Sequence, residues 1–168
     1  DPVHGGIYTG LDRDGSILET DKSVWFQGRF AYVCAYAYNH IERKPEWLEA
    51  AKSTLEFIEK HCFDTDRHMF FSVTADGTPL RKRRYVFSET FAAIAMAEYS
   101  IASGDQHYAQ RAIEVFADTL RFLNTPGFLQ PKFESSVQLQ GHSIVMILIN
   151  VCSILRQVSN DERLEKQI

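Results

Sequence analysis

The sequence has 168 residues, of which 45% are hydrophobic, so it is long enough to bury a substantial core. Its formal net charge of -4 gives no support to a nucleic-acid-binding or anionic-membrane role. No apolar run reaches membrane-spanning length without a polar interruption. We therefore expect neither a nucleic-acid partner nor a membrane partner.

The three cysteines, Cys34, Cys62 and Cys152, lie far apart and show no spacing typical of a metal site. Two of them fall in apolar helical stretches, which predicts buried free thiols in a reducing compartment and hence a cytoplasmic location. No signal peptide is visible. The chain opens on DPVHGG without an initiator Met, so we expect it to be trimmed or partial.

Taken in chain order, residues 5–19 are predicted to form a β-hairpin, with IYTGL and SILE as strands and DRDG as the turn. The first helix follows over about 22–39, with Asp21 or Ser23 as its N-cap. Within it, Val24 to Tyr38 carries apolar residues on every side. A helix of this kind is usually enclosed by other parts of the protein.

A short link leads to a second helix over about 46–61, which is amphipathic and has Pro45 in its first turn. The same order then recurs. A hairpin is predicted over 69–84, a nearly uncharged helix over 87–102, and a charged amphipathic helix over 105–123. The basic run within 81–84 is predicted to be a solvated loop.

The third long connection covers 124–140 and leads to an apolar helix over 142–158, after which a further helix begins. The unit of connection, apolar helix, link and amphipathic helix repeats at a spacing of roughly 55–65 residues, which indicates an array of supersecondary units. Apolar helices inside and amphipathic helices outside predict an all-α fold, an α/α toroid or solenoid, over 1–168 as one domain.

This alternation places the N-termini of the inner helices on one face, below the long connections, where functional sites are common. A pocket on that face would be lined by Trp25, Arg29, Phe87, Ser88, Glu89, His142 and Ser143. No phosphate-binding loop, nucleophile elbow or metal-binding histidine spacing stands out. We therefore expect no cofactor and no metal.

Arg29 is the only charged residue between Val24 and Tyr38, and Trp25 lies one turn before it on the same face. A guanidinium beside an indole suits a polar ligand with an apolar face, such as a sugar. The alternative is a structural arginine paired with a core carboxylate, because an unpaired buried charge is costly.

Two other residues have open roles. Glu89 lies in the first turn of an inner helix, where it can serve as a cap, as a partner of Arg29, or as a ligand contact. His142 opens the third inner helix, either as a cap or core residue or as a pocket residue.

Several motifs together resemble the N-acylglucosamine 2-epimerase family. They are the GG hairpin at the start, the LDRDG turn, the D-K-x-V-W-x-Q-G-R pattern and the F-S-E-x-F pattern, in order over nearly the whole chain. Members of this family fold as α/α six-barrels of about twice this length. The resemblance implies that the chain is the N-terminal half of such a barrel, with small β-hairpins in its long connections.

The resemblance also implies a reaction, the interconversion of N-acetylglucosamine and N-acetylmannosamine by proton transfer at carbon 2. Arg29 matches the family's pocket arginine, Trp25 matches a pocket tryptophan, and Glu89 falls in the F-S-E motif. Two acid/base histidines are expected outside this chain, so Arg29 would have a supporting catalytic role. Trp25, Arg29, Glu89 and His142 are the expected substrate contacts.

The related cellobiose 2-epimerases carry an asparagine and histidine motif where this chain has GHSIVM, which favours the acylglucosamine branch. Three hypotheses remain open: a sugar epimerase or isomerase that needs its second half, a non-catalytic binding module, and another toroid enzyme such as a glycoside hydrolase. The last would need a pair of carboxylates flanking a cleft, which Glu89 alone does not provide. The expected partner is a small sugar, and a homodimer is left open.

Overall fold

The computed structural model describes residues 1–82, 85–129, 136 and 142–167. Its long helices are α1 (Val24–His40), α2 (Pro45–His61), α3 (Phe87–Ser103), α4 (Gln106–Asn124) and α5 (Ser143–Leu155), and a short helix, α6 (Glu162–Glu165), follows. Each of the five long helices begins and ends within a few residues of its prediction. Most of the third connection lies outside the described residues.

Short strands occupy the first two long connections. β1 (Gly10–Leu11) pairs with β2 (Ile17–Glu19) as an antiparallel hairpin, in agreement with the sequence. The second hairpin, β4 (Phe70–Val73) and β5 (Pro79–Lys82), is joined by β3 (Lys22–Ser23), which pairs antiparallel with β4. The sheet order β3–β4–β5 therefore places the second hairpin directly beside the start of α1.

Local sequence explains the helix ends. Pro45 occupies the first turn of α2, and Gly104 ends α3 in the left-handed conformation with φ 76°. Ser23 is the N-cap of α1, but its side chain makes no capping hydrogen bond. Its backbone belongs to β3, so pairing with β4 fixes the entry to α1 instead.

The helices form two layers. α3 packs against α1 and α5 in the inner layer and against α2 and α4 in the outer layer. Twelve of its seventeen residues are buried, including nine in succession from Ala92 to Ser100. The chain therefore folds as part of an α/α toroid, with α3 at its centre.

Burial separates the two layers as predicted, although unevenly. Of the 47 residues of α1, α3 and α5, 23 are buried, against 12 of the 36 residues of α2 and α4. The inner helices are therefore the more buried set, and α3 alone contributes twelve of their buried residues. Only α3 has a described inner helix on each side.

Apolar side chains are exposed along α1 and α5. Phe26, Val33 and Tyr36 of α1 are 50%, 60% and 43% exposed, and Val145, Met146 and Ile149 of α5 are 47%, 69% and 46% exposed. The expectation that α1 is enclosed on all sides is wrong for this chain. We call these two sets the α1 flank and the α5 flank.

Cys34, Cys62 and Cys152 are buried free thiols, as predicted. Burial raises the pKa of Cys62 to about 12 and that of Cys152 to about 11. None of the helices in the described ranges is long and apolar enough to cross a membrane.

Candidate functional site

The Q-G-R motif near the start of α1 consists of Gln27, Gly28 and Arg29, and each residue makes a different contact. The side-chain amide of Gln27, which is fully buried, donates to the carbonyl of Ile7 (2.8 Å) and accepts from its backbone N–H (2.8 Å). This pair of hydrogen bonds fixes the first connection to α1. Gly6, with φ 65°, leaves room for the amide, because a Cβ there would lie 2.6 Å from Oε1 of Gln27.

Gly28 brings α1 and α3 together. A Cβ at this position would lie 2.9 Å from the backbone carbonyl carbon of Phe91. A glycine here therefore permits an approach of the two helices that any larger residue would prevent. The result is that the following residue, Arg29, lies beside the aromatic ring of Phe91.

Lys22, from the D-K-x-V-W motif, ties the two described connections to each other. It is fully buried, and its ammonium donates to the carboxylate of Asp1 (2.8 Å) and to the carbonyls of Gly5 (2.7 Å) and Ala75 (2.8 Å). Burial lowers its pKa. The charge is compensated by these acceptors, so the first segment and the second hairpin are held at one end of α1.

Trp25 is the centre of a cluster of half-buried aromatic rings. Its indole meets the rings of Phe71, Phe87 and Phe91 edge to face, with centroids 6.1, 5.3 and 5.7 Å apart. The rings come from α1, from β4 and from the first turns of α3. Together they form a partly exposed apolar surface at the N-terminal ends of the two inner helices, and we call it the aromatic surface.

Arg29 lies at one side of the aromatic surface. Its guanidinium carbon is 5.5 Å from the centroid of Phe91 and 6.0 Å from that of Phe26, and the side chain is exposed. No carboxylate among the described residues lies within ion-pair distance of it. Within the described residues, Arg29 therefore does not form the buried ion pair with a core carboxylate that the sequence offered as the alternative.

Glu89 lies behind the aromatic surface rather than on it. Its side chain is fully buried, and Oε1 accepts hydrogen bonds from Nδ1 of His68 (2.5 Å) and from the backbone N–H of Met69 (2.6 Å). It forms no pair with Arg29. Oε2 is buried and has no hydrogen-bond partner in the described part of the chain. Contact between Glu89 and a ligand stays a prediction.

His142 stands at the N-cap position of α5 and is exposed, and its side chain makes no capping hydrogen bond. The cap role considered from the sequence is therefore not observed. No described contact joins His142 to Trp25 or Arg29, so the structure brings together Trp25 and Arg29 but does not connect His142 to them.

Sequence reasoning missed His68, whose isolated position matches no metal or catalytic spacing. The ring is 5% exposed and packs beside Phe122 and Phe128. Its partner Glu89 is 21 positions away, so no local pattern signals the contact. The basic run was also misread in part, because Arg81 and Lys82 belong to β5, whereas positions 83–84 lie outside the described residues.

The family model described as N-acylglucosamine 2-epimerase matches residues 5–167. The chain belongs to this family. It is 31% identical over 157 residues to the N-acylglucosamine 2-epimerase of Rattus norvegicus, covering 90% of this chain and 38% of that protein. It is also 28% identical over 135 residues to a cellobiose 2-epimerase of Eubacterium cellulosolvens, covering 77% of this chain and 33% of that one.

Solved structures of sugar epimerases share this fold. A sugar epimerase from a ruminal bacterium superimposes on 99% of this chain and 47% of its own length, with a TM-score of 0.83 and 22% identity. This likeness establishes the α/α toroid architecture. This chain therefore spans less than half the length of each of these three relatives.

Proposed function

We propose that this chain forms part of a carbohydrate 2-epimerase that interconverts N-acetylglucosamine and N-acetylmannosamine. The observation that carries the proposal is the exposed Arg29 guanidinium beside the aromatic surface, which has no carboxylate partner within the described part of this N-acylglucosamine 2-epimerase family chain. A hexosamine has apolar C–H faces that can pack on aromatic rings and polar edges that can meet a guanidinium.

The proposed reaction is a proton transfer at carbon 2 of the open-chain sugar. A base removes the proton next to the aldehyde, and the electron pair of the C–H bond moves to the carbonyl oxygen to give an enolate. A proton returned to the opposite face of carbon 2 restores the aldehyde and inverts that centre. The step needs neither an oxidant nor a reductant.

Arg29 would stabilise the charge that develops on the carbonyl oxygen. A guanidinium remains protonated throughout the neutral range and offers several N–H donors in one plane. Donors fixed where negative charge develops lower the barrier more than they favour the bound substrate. The close approach of α1 and α3 at Gly28 gives Arg29 a defined position from which to act.

We further propose that catalysis needs the complementary half of the toroid. The exposed α1 and α5 flanks support this, because a closed toroid would cover both. The chain spans 38% of the rat relative, and two histidines on opposite faces of carbon 2 would come from the complementary part. Within the described residues, no pair of histidines adjoins Arg29.

The choice of substrate rests on two observations. Identity to the rat N-acylglucosamine enzyme extends over 90% of the chain, against 77% for the cellobiose enzyme. The GHSIVM segment also departs from the asparagine and histidine motif of the cellobiose branch. We therefore favour an amino sugar as the substrate. The first alternative function is a cellobiose epimerase or an aldose–ketose isomerase, and the second alternative is a non-catalytic sugar-binding module.

The enzyme would act in amino-sugar metabolism without a metal or cofactor. Three buried free thiols support a reducing, cytoplasmic setting. Assembly as a homodimer stays a proposal.

The test is epimer formation by the intact gene product that contains this chain. N-acetylmannosamine and cellobiose are incubated with it separately, and the products are resolved by proton NMR. Formation of N-acetylglucosamine, with little change in cellobiose, would support the favoured branch. The reverse result would assign the cellobiose branch, and no product from either sugar would support the non-catalytic module.

A further inference from the structure

A second arginine adjoins the aromatic surface, and neither the family assignment nor the sequence patterns give it a role. The guanidinium carbon of Arg81, in β5, lies 5.9 Å from the centroid of Phe71, which itself meets the indole of Trp25 at 6.1 Å. Arg81 is exposed, and no carboxylate among the described residues pairs with it. Arg29 and Arg81 thus adjoin the same set of rings, Arg29 at Phe91 and Arg81 at Phe71.

The neighbouring cation in β5 is used differently. The ammonium of Lys82 lies near the ring of Phe70 and donates to carboxylate oxygens of Asp64 (2.7 Å) and Asp66 (2.7 Å). Successive side chains of a strand point to opposite faces. Lys82 therefore points to the carboxylates of Asp64 and Asp66, whereas Arg81 points toward the aromatic surface. None of the carboxylates that the structure describes pairs with Arg81 there.

An unpaired guanidinium beside half-exposed rings is suited to an anionic oxygen group carried by a ligand with an apolar face. Arginine binds carboxylate and phosphate through two parallel N–H donors, and such charge-assisted hydrogen bonds are among the stronger polar contacts. With Arg29 assigned to the reacting end of the sugar, Arg81 would meet a substituent farther along it.

We infer that Arg81 is a specificity-determining residue that selects a monosaccharide carrying a phosphate or carboxylate group over the neutral sugar. This inference rests on the proposed function, because it uses the same aromatic surface and the same role for Arg29. It extends the proposed substrates to amino sugars or hexoses that carry an anionic group, with neutral N-acetylmannosamine as the less efficient substrate. It adds no step to the proton transfer at carbon 2.

The experiment compares the intact gene product with two variants, Arg81→Gln and Arg43→Gln. Arg43 is exposed in the link after the C-terminal end of α1, so its replacement removes one positive charge at the far end of that helix. The substrates are N-acetylmannosamine, N-acetylmannosamine 6-phosphate and glucuronate. Glucuronate tests a sugar that carries a carboxylate in place of a phosphate. We expect a higher kcat/KM for at least one anionic sugar than for N-acetylmannosamine.

Arg81→Gln should lower kcat/KM for that anionic sugar roughly tenfold to a hundredfold, mainly through KM, and leave the neutral sugar within about twofold. Arg43→Gln should change neither value. Equal losses for both sugars in Arg81→Gln, or no preference for an anionic sugar in the unmodified protein, would overturn the inference while leaving the epimerase proposal intact.

Calorimetric titration separates the two proposals if no sugar is turned over. The protein could fail to turn over any sugar and still bind N-acetylmannosamine 6-phosphate tightly. If that binding is salt-sensitive and Arg81→Gln weakens it, the result would overturn the epimerase function but support the role of Arg81. Absence of that binding would overturn the role of Arg81. Inorganic phosphate is the control ligand. If it binds as tightly as the sugar phosphate, the aromatic rings contribute nothing to the affinity, and the inference is overturned.

Discussion

Glu89 in the first turn of α3 accepts a hydrogen bond from Nδ1 of His68, which precedes the second hairpin, at 2.5 Å. The same carboxylate oxygen accepts from the backbone N–H of Met69 at 2.6 Å. Both side chains are buried, so the contact fixes the beginning of β4 against α3. Phe71, three residues after His68, reaches Trp25 as a consequence of this placement.

Replacement of this carboxylate by an amide should destabilise the protein. In Glu89→Gln, the NH₂ group either faces the two donors that now reach Oε1 or occupies the position of Oε2, which has no partner in the described residues. We expect the free energy of unfolding to fall by about 1–3 kcal/mol, measured by urea denaturation. Glu49→Gln, at an exposed position of α2, is the control and should change little. An unchanged midpoint in Glu89→Gln would contradict the structural role.

The approach of α1 to α3 makes Gly28 intolerant of a side chain. Alanine has the higher helix propensity by about 1 kcal/mol, so an unhindered Gly28→Ala would stabilise the protein. The nearest Phe91 atoms lie 2.9 Å from the added Cβ, and we expect instead a net loss of about 1–3 kcal/mol from overpacking. This loss of stability is measured by thermal unfolding of Gly28→Ala. Val33→Ala, at an exposed position of the same helix, is the control. A rise in Tm for Gly28→Ala would show that the helices separate at no cost.

The Lys82 and Asp64 pair should give a pH-dependent contribution to stability. A hydrogen bond from Lys82, followed by one from the backbone N–H of Thr65, lowers the pKa of Asp64. In the unfolded chain this carboxyl titrates near about 3.9. Because the pKa is lower in the folded state, the contribution is complete above that value and is lost as the pH falls through the folded pKa.

Lys82→Gln should therefore lower Tm at pH 7, and the difference from the unmodified protein should shrink below about pH 4. Lys52→Gln is the matched control, because Lys52 is exposed and stands 3.9 Å from Glu56. A Tm difference that stays constant across the acid range would rule out this pair as its source.

Arg29→Lys keeps the positive charge and removes the planar set of donors. In the intact gene product, we expect turnover of N-acetylmannosamine to fall roughly tenfold to a thousandfold, by analogy with the loss of an oxyanion donor. Arg43→Lys is the control and should retain full turnover. Equal turnover in Arg29→Lys and the unmodified protein would exclude a role for the guanidinium in the transition state.

Most of the architecture follows from periodicity. Apolar and amphipathic helices have different sequence patterns, and turn residues such as Pro45 and Gly104 mark where they begin and end. These signals depend on residues close in sequence or on one face of one helix, which is why sequence predicts them. The roles of Gln27 and Gly28 depend instead on Ile7 and Phe91 in other elements, so the sequence motif alone does not reveal them.

Burial and side-chain pairing were harder to predict. The exposure of Phe26 and Val33 depends on which helices flank α1, and the apolar pattern of α1 contains no information about its neighbours. The bond between Glu89 and His68 joins positions in different elements, so a partner for Glu89 could not be chosen from sequence. A core carboxylate is one of two partners that the sequence suggests for Arg29, because the apolar pattern of α1 predicts an enclosed helix.

Hydrogen exchange at carbon 2 tests the central claim most directly. N-acetylmannosamine is incubated in deuterated water with the intact gene product and, separately, with the 168-residue chain, and loss of the carbon 2 proton signal is followed by NMR. We predict exchange with the intact protein, greatly slowed by Arg29→Lys, and none with the 168-residue chain. Rapid exchange by the 168-residue chain, abolished by His142→Ala, would contradict it and place the catalytic base at the start of α5.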